Sequence, residues 1–312
     1  MTHAPKIPLF TSIPPRVRRL VNGRDYGAAW QVACIESWRR SGFRVISLNG
    51  GAELINLRRS YPVGVDFIEL PPDVERPRIV DFLDAAKESG AATAGVVNAD
   101  CLMIPLTGFA ERLSENLKNI AIVERINIDH KTLRPTGQHC YGFDAFFFPI
   151  GALGALKRDE SWRIGDTWWD YWLPIAFHLG GVELRTLPAP MLVHLDHELA
   201  WNKVSWIEKC RRLLDYVRNG GRTPNDLELA AAFEAMSLEP EELEVYGFSQ
   251  RIFAWLRARE PLWQPEAGSI EELCVAVLNA LATPAQPTAE TAVGCENSLR
   301  RALSWLALSR RG

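Results

Sequence analysis

Gly95-Val96-Val97-Asn98-Ala99-Asp100 is a run of small and β-branched residues that ends abruptly in two polar ones, and Cys101-Leu102-Met103-Ile104-Pro105 follows it. Such a run suits a strand buried on both faces. It therefore reads as a central strand whose carboxyl end delivers Asn98 and Asp100 to one edge of a sheet. In open α/β sheets that edge is where ligands bind, and an aspartate placed there is positioned to hold a metal ion. The same six residues also suit an ordinary strand-to-turn transition, because Asn and Asp favour turns. The surrounding chain has to separate the two readings.

Upstream, strand and helix signals alternate. Lys6 to Pro15 reads as a first strand running into a Ser/Thr/Pro loop, with Pro8 at its beginning because proline offers no N–H to a ladder. Ala28 to Ser41 spaces Trp30, Ala33, Cys34, Ile35 and Trp38 as a helix does, and Gly42 supplies the stop. Phe43 to Asn49 is a second strand, Ala52 to Ser60 a short helix, and Asp66 to Leu70 a third strand before Pro71-Pro72. Arg78 to Ser89 is a helix with Ile79, Phe82, Leu83 and Ala86 inward, closed by Gly90. This alternation predicts a parallel, helix-covered α/β sheet. Neither G-x-G-x-x-G nor a Walker-type G-K-[ST] occurs in this half, which weakens dinucleotide and P-loop readings.

Downstream the rhythm changes. Thr107 to Asn116 is helical and Asn119 to Glu124 a strand, while Arg125 to His130 reads as polar and irregular. Phe143 to Pro149 is an aromatic strand, Trp162 to Phe177 a dense polar-aromatic cluster, Val182 to Thr186 a strand, and Met191 to His197 closes the unit. From Trp201 the chain reads as helical, with segments near 204–218, 226–237, 241–258, 269–283 and 290–310. The predicted division is a domain over 1–202 and a C-terminal all-helical extension over 203–312. The Leu/Ala/Trp-rich segment 299–308 suits packing on its own domain or on another subunit, a homo-oligomer through the helical tail.

Composition narrows the class. Among 312 residues, 47% are hydrophobic and 23% charged, as in an ordinary globular protein. A net charge of −3 with scattered Lys and Arg leaves no nucleic-acid footprint. No apolar run approaches the roughly 20 residues of a transmembrane span, and Met1 to Phe10 lacks the charged-then-apolar order of a signal peptide. A cytoplasmic protein is the default expectation. Six cysteines with no C-x-x-C pair suit reduced core thiols.

Three features could carry chemistry. Asn98-Ala99-Asp100 is the first. The second is Gly165-Asp166-Thr167-Trp168-Trp169-Asp170-Tyr171-Trp172. On a helix Asp166 and Asp170 share a face, and Trp168, Trp169 and Trp172 surround them. Rings that cover the C–H face of a sugar, beside acids that accept its hydroxyl protons, suit carbohydrate. A Trp-rich core helix with Asp166 as its N-cap is the alternative. The third is His194 and His197 around Asp196; neutral imidazole is a common metal ligand, and in an extended segment His194 and Asp196 face one way and His197 the other, so one of the two histidines would be a ligand.

Taken in order, these motifs resemble the GT-A type of nucleotide-diphospho-sugar transferase, and within it a bacterial glycosyltransferase-like group. The resemblance covers roughly residues 5–202 through Phe10-Thr11-Ser12-Ile13-Pro14, Glu36-Ser37-Trp38, Asn98-Ala99-Asp100, Tyr141-Gly142-Phe143-Asp144, Gly165 to Trp172 and the His194 segment. It implies a Rossmann-like GT-A fold with a mostly parallel sheet, and a glycosyltransferase assisted by a divalent metal, Mn²⁺ or Mg²⁺. The family's Asp-x-Asp has Asn98 at its first position here, so Asp100 would carry the metal, with His194 or His197 as the late ligand. Thr11, Ser12, Ile13, Pro14, Asn49, Asn98 and Arg125 would hold the nucleotide-sugar donor. Asp166 or Asp170 would serve as base toward an unidentified acceptor, with Trp168, Trp169, Trp172 and Asp144 around its sugar. Two other readings use the same residues: a catalytically degenerate sugar- or protein-binding module, and a nucleotidyltransferase.

Overall fold

The computed structural model describes residues 6–21, 24–61, 63–72, 74–104, 108–128, 142–187, 191–196, 202–219 and 226–263. In chain order the elements are β1 (Pro8–Thr11), the short hairpin β2 (Leu20–Val21) and β3 (Arg24–Asp25), α1 (Gly27–Arg40), β4 (Arg44–Gly50), α2 (Gly51–Ser60), β5 (Asp66–Leu70), α3 (Ile79–Glu88) and β6 (Thr93–Val97). There follow β7 (Cys101–Met103), α4 (Phe109–Asn116), β8 (Ile120–Ile128), β9 (Phe143–Pro149), a 3₁₀ turn (Ile150–Ala155) and α5 (Trp169–Leu179). The remainder is β10 (Leu184–Thr186), β11 (Leu192–Leu195), α6 (Lys203–Arg218), α7 (Leu227–Glu234) and α8 (Glu242–Arg257).

One nine-stranded sheet runs in the order β5-β4-β1-β6-β9-β8-β11-β7, with β10 also paired to β8. β5, β4, β1 and β6 are mutually parallel. β9 enters antiparallel between β6 and β8, and β8 then carries β10 and β11 parallel to itself, end to end along one side. Two antiparallel steps restore direction, so β1, β4, β6, β8 and β11 all end at the same edge, where β9 begins. The result is an α/β fold of the kind expected for a GT-A-like domain.

Alternation along each strand feeds two apolar layers. Leu9, Val45 and Phe147 point to the layer with Trp30 and Trp38 of α1 and Phe109 of α4. Phe10, Ile46, Phe146 and Phe148 point to the other, with Phe82 of α3 and Trp169 and Trp172 of α5. Gly95 sits mid-strand because a Cβ there would lie 2.5 Å from the Phe147 ring and 3.0 Å from Leu9. The second layer also receives Cys210, Leu213, Phe233, Phe248 and Trp255 from α6–α8, so these helices share one core with the sheet.

Several expectations need correction. Arg125 to Ile128, read as irregular, completes β8. β7 and the β2–β3 hairpin were not anticipated. α5 begins at Trp169, leaving Asp166 in the preceding turn, so Asp166 and Asp170 share no helix face. The segments 269–283, 290–310 and 299–308 lie outside the described residues. Among the described residues no helix is long and apolar enough to cross a membrane.

Candidate functional site

Strand register assembles the site. β6 stops at Val97 and β7 starts at Cys101, so Asn98-Ala99-Asp100 is the turn between them at the edge where the parallel strands end. His194 of β11 is register partner of Asn127 on β8 and of Cys101 on β7. Asp100, Asn127 and His194 therefore meet. His194 Nε2 lies 3.2 Å from Asp100 Oδ2, and His194 Nδ1 lies 3.3 Å from Asn127 Oδ1. Burial lowers the His194 pKa against the opposing pull of Asp100, so the ring is neutral near pH 7. In the tautomer with Nδ1–H donating to Asn127 Oδ1, the Nε2 lone pair faces the carboxylate; in the other, Nε2–H donates to Asp100 Oδ2.

A third group reaches the same oxygen. Arg19 Nη2 donates to Asp100 Oδ2 at 2.5 Å, with the Arg19 side chain 9% exposed and that of Asp100 24%. The Arg19 backbone is fixed from behind, because Asp25 Oδ1 accepts from the N–H groups of both Arg19 and Gly27 at 2.9 Å. A Cβ on Gly27 would sit 1.8 Å from the Val17 carbonyl oxygen, so only glycine permits this close approach of α1 to the preceding segment.

α1 clamps the turn. Gln31 Nε2 donates to the Ala99 carbonyl at 2.7 Å, Trp30 Nε1 to the Asp100 carbonyl at 2.8 Å and Trp38 Nε1 to the Cys101 carbonyl at 2.9 Å. Ser37 Oγ accepts from the Met103 N–H at 3.0 Å. Three successive carbonyls are thus held by side chains of one helix face.

A second polar cluster adjoins the first through Asn98. Its N–H donates to the Asp144 carbonyl at 2.8 Å and its Nδ2 to Asp144 Oδ1 at 2.8 Å. Asp144 Oδ2 pairs with Arg125 Nη1. Asp170 Oδ2 accepts from the Phe143 N–H at 3.3 Å and would be 2.8 Å from a Cβ on Gly142, which also lies near Arg125. Burial, then the Asp144 charge, raises the Asp170 pKa to about 7, against the lowering effect of Arg125. Burial opposes the Arg125 charge, yet Asp144 and Asp170 hold its pKa above the ordinary value. Carboxyls shifted in this way, here beside a half-buried guanidinium, occur at catalytic sites and in structural ion-pair networks alike.

The other predicted residues separate. In the loop after β1, the Ile13 N–H donates to Ser47 Oγ at 2.9 Å and Asn49 Nδ2 donates to the Ile13 carbonyl at 2.8 Å. Asn49, 0% exposed, therefore shapes the Thr11–Pro14 loop from below and offers no atom to a ligand. Asp166 pairs with Arg76, in the segment before α3, and with Lys209 of α6, each at 2.9 Å. Trp168, Trp169 and Trp172 are 2%, 2% and 0% exposed. Trp168 stacks on Trp206 and Phe248, and Trp172 on Trp162. Their rings are core and present no face for a sugar. Asp144 is likewise buried, engaged with Asn98 and Arg125 rather than open to an acceptor. His197 lies outside the described residues.

Two site residues escaped the sequence reading. Arg19 belongs to Arg16-Val17-Arg18-Arg19, where nothing local distinguishes one arginine from the next. Asn127 fell in the stretch taken as irregular; had β8 been extended, its period-2 alternation would have put Asn127 and Arg125 on the same side.

Asp100 and His194 suit a divalent ion in donor type and spacing. Adjacent ligands of an octahedral ion with bonds of about 2.1 Å lie about 3.0 Å apart, close to the 3.2 Å seen between Oδ2 and Nε2. Among the described residues no group of three or more His, Cys, Asp or Glu is placed to hold a metal ion, so this pair alone would give an ion only two protein ligands.

No protein-family profile and no curated protein matches the chain. Solved structures with an overall likeness include TarS 1–349 of S. aureus in complex with UDP-GlcNAc, at 10% identity and a TM-score of 0.46 over 81% of this chain and 74% of that one. The mannosyltransferase PcManGT of Pyrobaculum calidifontis, in complex with GDP-Man and Mn²⁺, is 12% identical with a TM-score of 0.46 over 99% of this chain and 85% of that one. A further structure of S. aureus TarS is 10% identical with a TM-score of 0.45 over 73% of this chain and 42% of that one.

Proposed function

We propose that this protein is a glycosyltransferase that moves a sugar from a nucleoside-diphosphate donor to a hydroxyl acceptor, with a divalent ion at Asp100 and His194. The observation that carries the reading is the junction, through Asn98, of two unlike clusters at one sheet edge. One is the carboxylate–imidazole pair suited to a cation; the other contains Asp170, with a pKa of about 7. Asp100 and His194 would hold Mn²⁺ or Mg²⁺, which when bound supplies charge neutralisation for the departing diphosphate.

The chain's own groups account for the rest. Arg125 Nε is buried and has no hydrogen-bond partner among the described residues, and a guanidinium donor of this kind suits a phosphate oxygen. The loop Thr11-Ser12-Ile13-Pro14, braced by Ser47 and Asn49, lies at the end of β1 on the same edge, where base and ribose would sit. Asp170 as carboxylate would accept the acceptor hydroxyl proton while the new C–O bond forms at the anomeric carbon and the bond to diphosphate breaks. This assignment belongs to an inverting reaction.

The test is calorimetric titration with UDP, GDP and their sugars, with and without Mn²⁺, paired with an assay of the released product. Ion-dependent binding that is lost in Asp100→Ala, and release of a nucleoside diphosphate, are expected. Release of pyrophosphate would make the protein a nucleotidyltransferase. Binding without any turnover would make it a sugar-binding module.

A further inference from the structure

Two groups among the described residues meet at Asp100 Oδ2. It is the oxygen that faces His194 Nε2 at 3.2 Å, and it is also the oxygen held by Arg19 Nη2 at 2.5 Å. A divalent ion bound by Asp100 Oδ2 and His194 Nε2 would stand next to a guanidinium whose charge is of the same sign, in a place only partly open to water, where repulsion is poorly screened. The Arg19 side chain is more than nine-tenths buried and its Nε has no hydrogen-bond partner among the described residues. Among those residues this donor is unused, while Nη1 donates to the Arg18 carbonyl at 2.9 Å. The backbone on either side of it is anchored, the Arg19 N–H to Asp25 and the Arg19 carbonyl to the Tyr26 N–H at 2.8 Å. The long side chain is therefore the part free to change partners.

We infer that Arg19 is the resident counter-ion of Asp100 and that a divalent cation binds only by displacing its guanidinium from Oδ2, which frees both Arg19 donors for an anionic ligand beside the ion. Arg19 neutralises Asp100 when no ion is bound, and weak ion binding without a phosphate ligand is the consequence. A diphosphate gives the displaced guanidinium a new partner, so ion and diphosphate bind together more strongly than either alone. The inference rests on the reading of Asp100 and His194 as a cation pair, and it holds whether or not sugar transfer follows.

The experiment is Mn²⁺ binding to the full chain without nucleotide, followed by electron paramagnetic resonance of the free ion. Arg19→Gln, which keeps hydrogen bonding and removes the charge, should bind Mn²⁺ about tenfold or more tightly than the wild type. Arg19→Lys should stay near the wild type, and adding Asp100→Asn to Arg19→Gln should abolish the gain. Equal or weaker binding by Arg19→Gln would overturn the inference, as would a gain that survives Asp100→Asn. Should Arg19→Gln fail to fold, ¹⁵N spectra of arginine-labelled wild type decide instead. Mg²⁺ should shift the Arg19 guanidinium signal, assigned by its loss in Arg19→Lys; an unmoved signal at saturating Mg²⁺ would overturn the displacement. Because no sugar nucleotide is present, failure here leaves the transferase reading untouched, and absence of transfer leaves this result standing.

Discussion

The Asp170 carboxyl accepts from the Phe143 N–H and lies beside Arg125 and Asp144, and burial followed by the Asp144 charge raises its pKa to about 7. In the unfolded chain the same group titrates near 3.9. The folded state therefore holds this proton more tightly, and the contribution is fully present below about pH 4 and lost as pH rises toward 7. Asp170→Asn should remove that slope, so that its urea midpoint, compared with wild type from pH 4.5 to 8, gains relative stability as pH rises. Reactivity runs the opposite way, because a base must be ionised. Transfer should climb through an apparent pKa near 7, and Asp170→Asn should lower kcat by about 10²–10⁴ and flatten the profile. Asp144→Asn tests the same cluster from its other side. It leaves the Arg125 guanidinium without its carboxylate, at a cost of roughly 3–5 kcal/mol. It also removes a charge that raises the Asp170 pKa, so the residual rate profile should move to lower pH.

At the scale of elements, α1 matters less for the apolar face it buries than for the carbonyls it holds. Trp38→Phe keeps the ring in the layer with Phe43 and Phe109 but removes the donor to the Cys101 carbonyl. A buried carbonyl left without its partner costs about 1–3 kcal/mol, which urea denaturation would register; the loosened Asp100 turn should also raise the Kd for Mn²⁺. This clamp bears on what the sequence could disclose. The periodicity of Trp30, Ala33, Cys34, Ile35 and Trp38 marks the helix, and the small and β-branched run before Asn98 marks β6, because burial imposes those patterns locally. Donation from Trp30, Gln31 and Trp38 into the turn 70 to 63 residues away leaves no local trace. Asp166 and Asp170 show the converse. Their four-residue spacing is real, but Trp168 adopts φ 70° as the N-cap of α5, and this left-handed residue sends the two carboxylates to different surroundings. Packing of Trp168 against Trp206 and Phe248 sustains that conformation, and both partners come from helices far along the chain.

For the whole molecule, the consequence concerns α6–α8. Composition suggests an appendage beginning after residue 202, yet Cys210, Leu213, Leu214, Phe233, Phe248, Ile252, Trp255 and Leu256 belong to the same apolar cluster as Phe146, Trp169 and Trp172. Trp172 meets Tyr216 edge-on at 5.8 Å, Trp168 Nε1 donates to the Trp206 carbonyl at 2.9 Å, and Lys209 pairs with Asp166. Phe248→Ala should accordingly cost about 3–5 kcal/mol, a core-sized loss for a residue outside the sheet. A fragment ending at residue 202 would expose the Trp168 and Trp172 side of α5 and release the residue that holds the left-handed turn. Asp170, in the first turn of α5, would lose its fixed position with it. Such a fragment should keep far-ultraviolet helix and strand signal, lose the near-ultraviolet signal of the packed tryptophans and bind a hydrophobic dye, as a molten globule does. Cooperative unfolding of that fragment with an intact tryptophan signal would show instead that the sheet carries its own core and that α6–α8 merely rest on it.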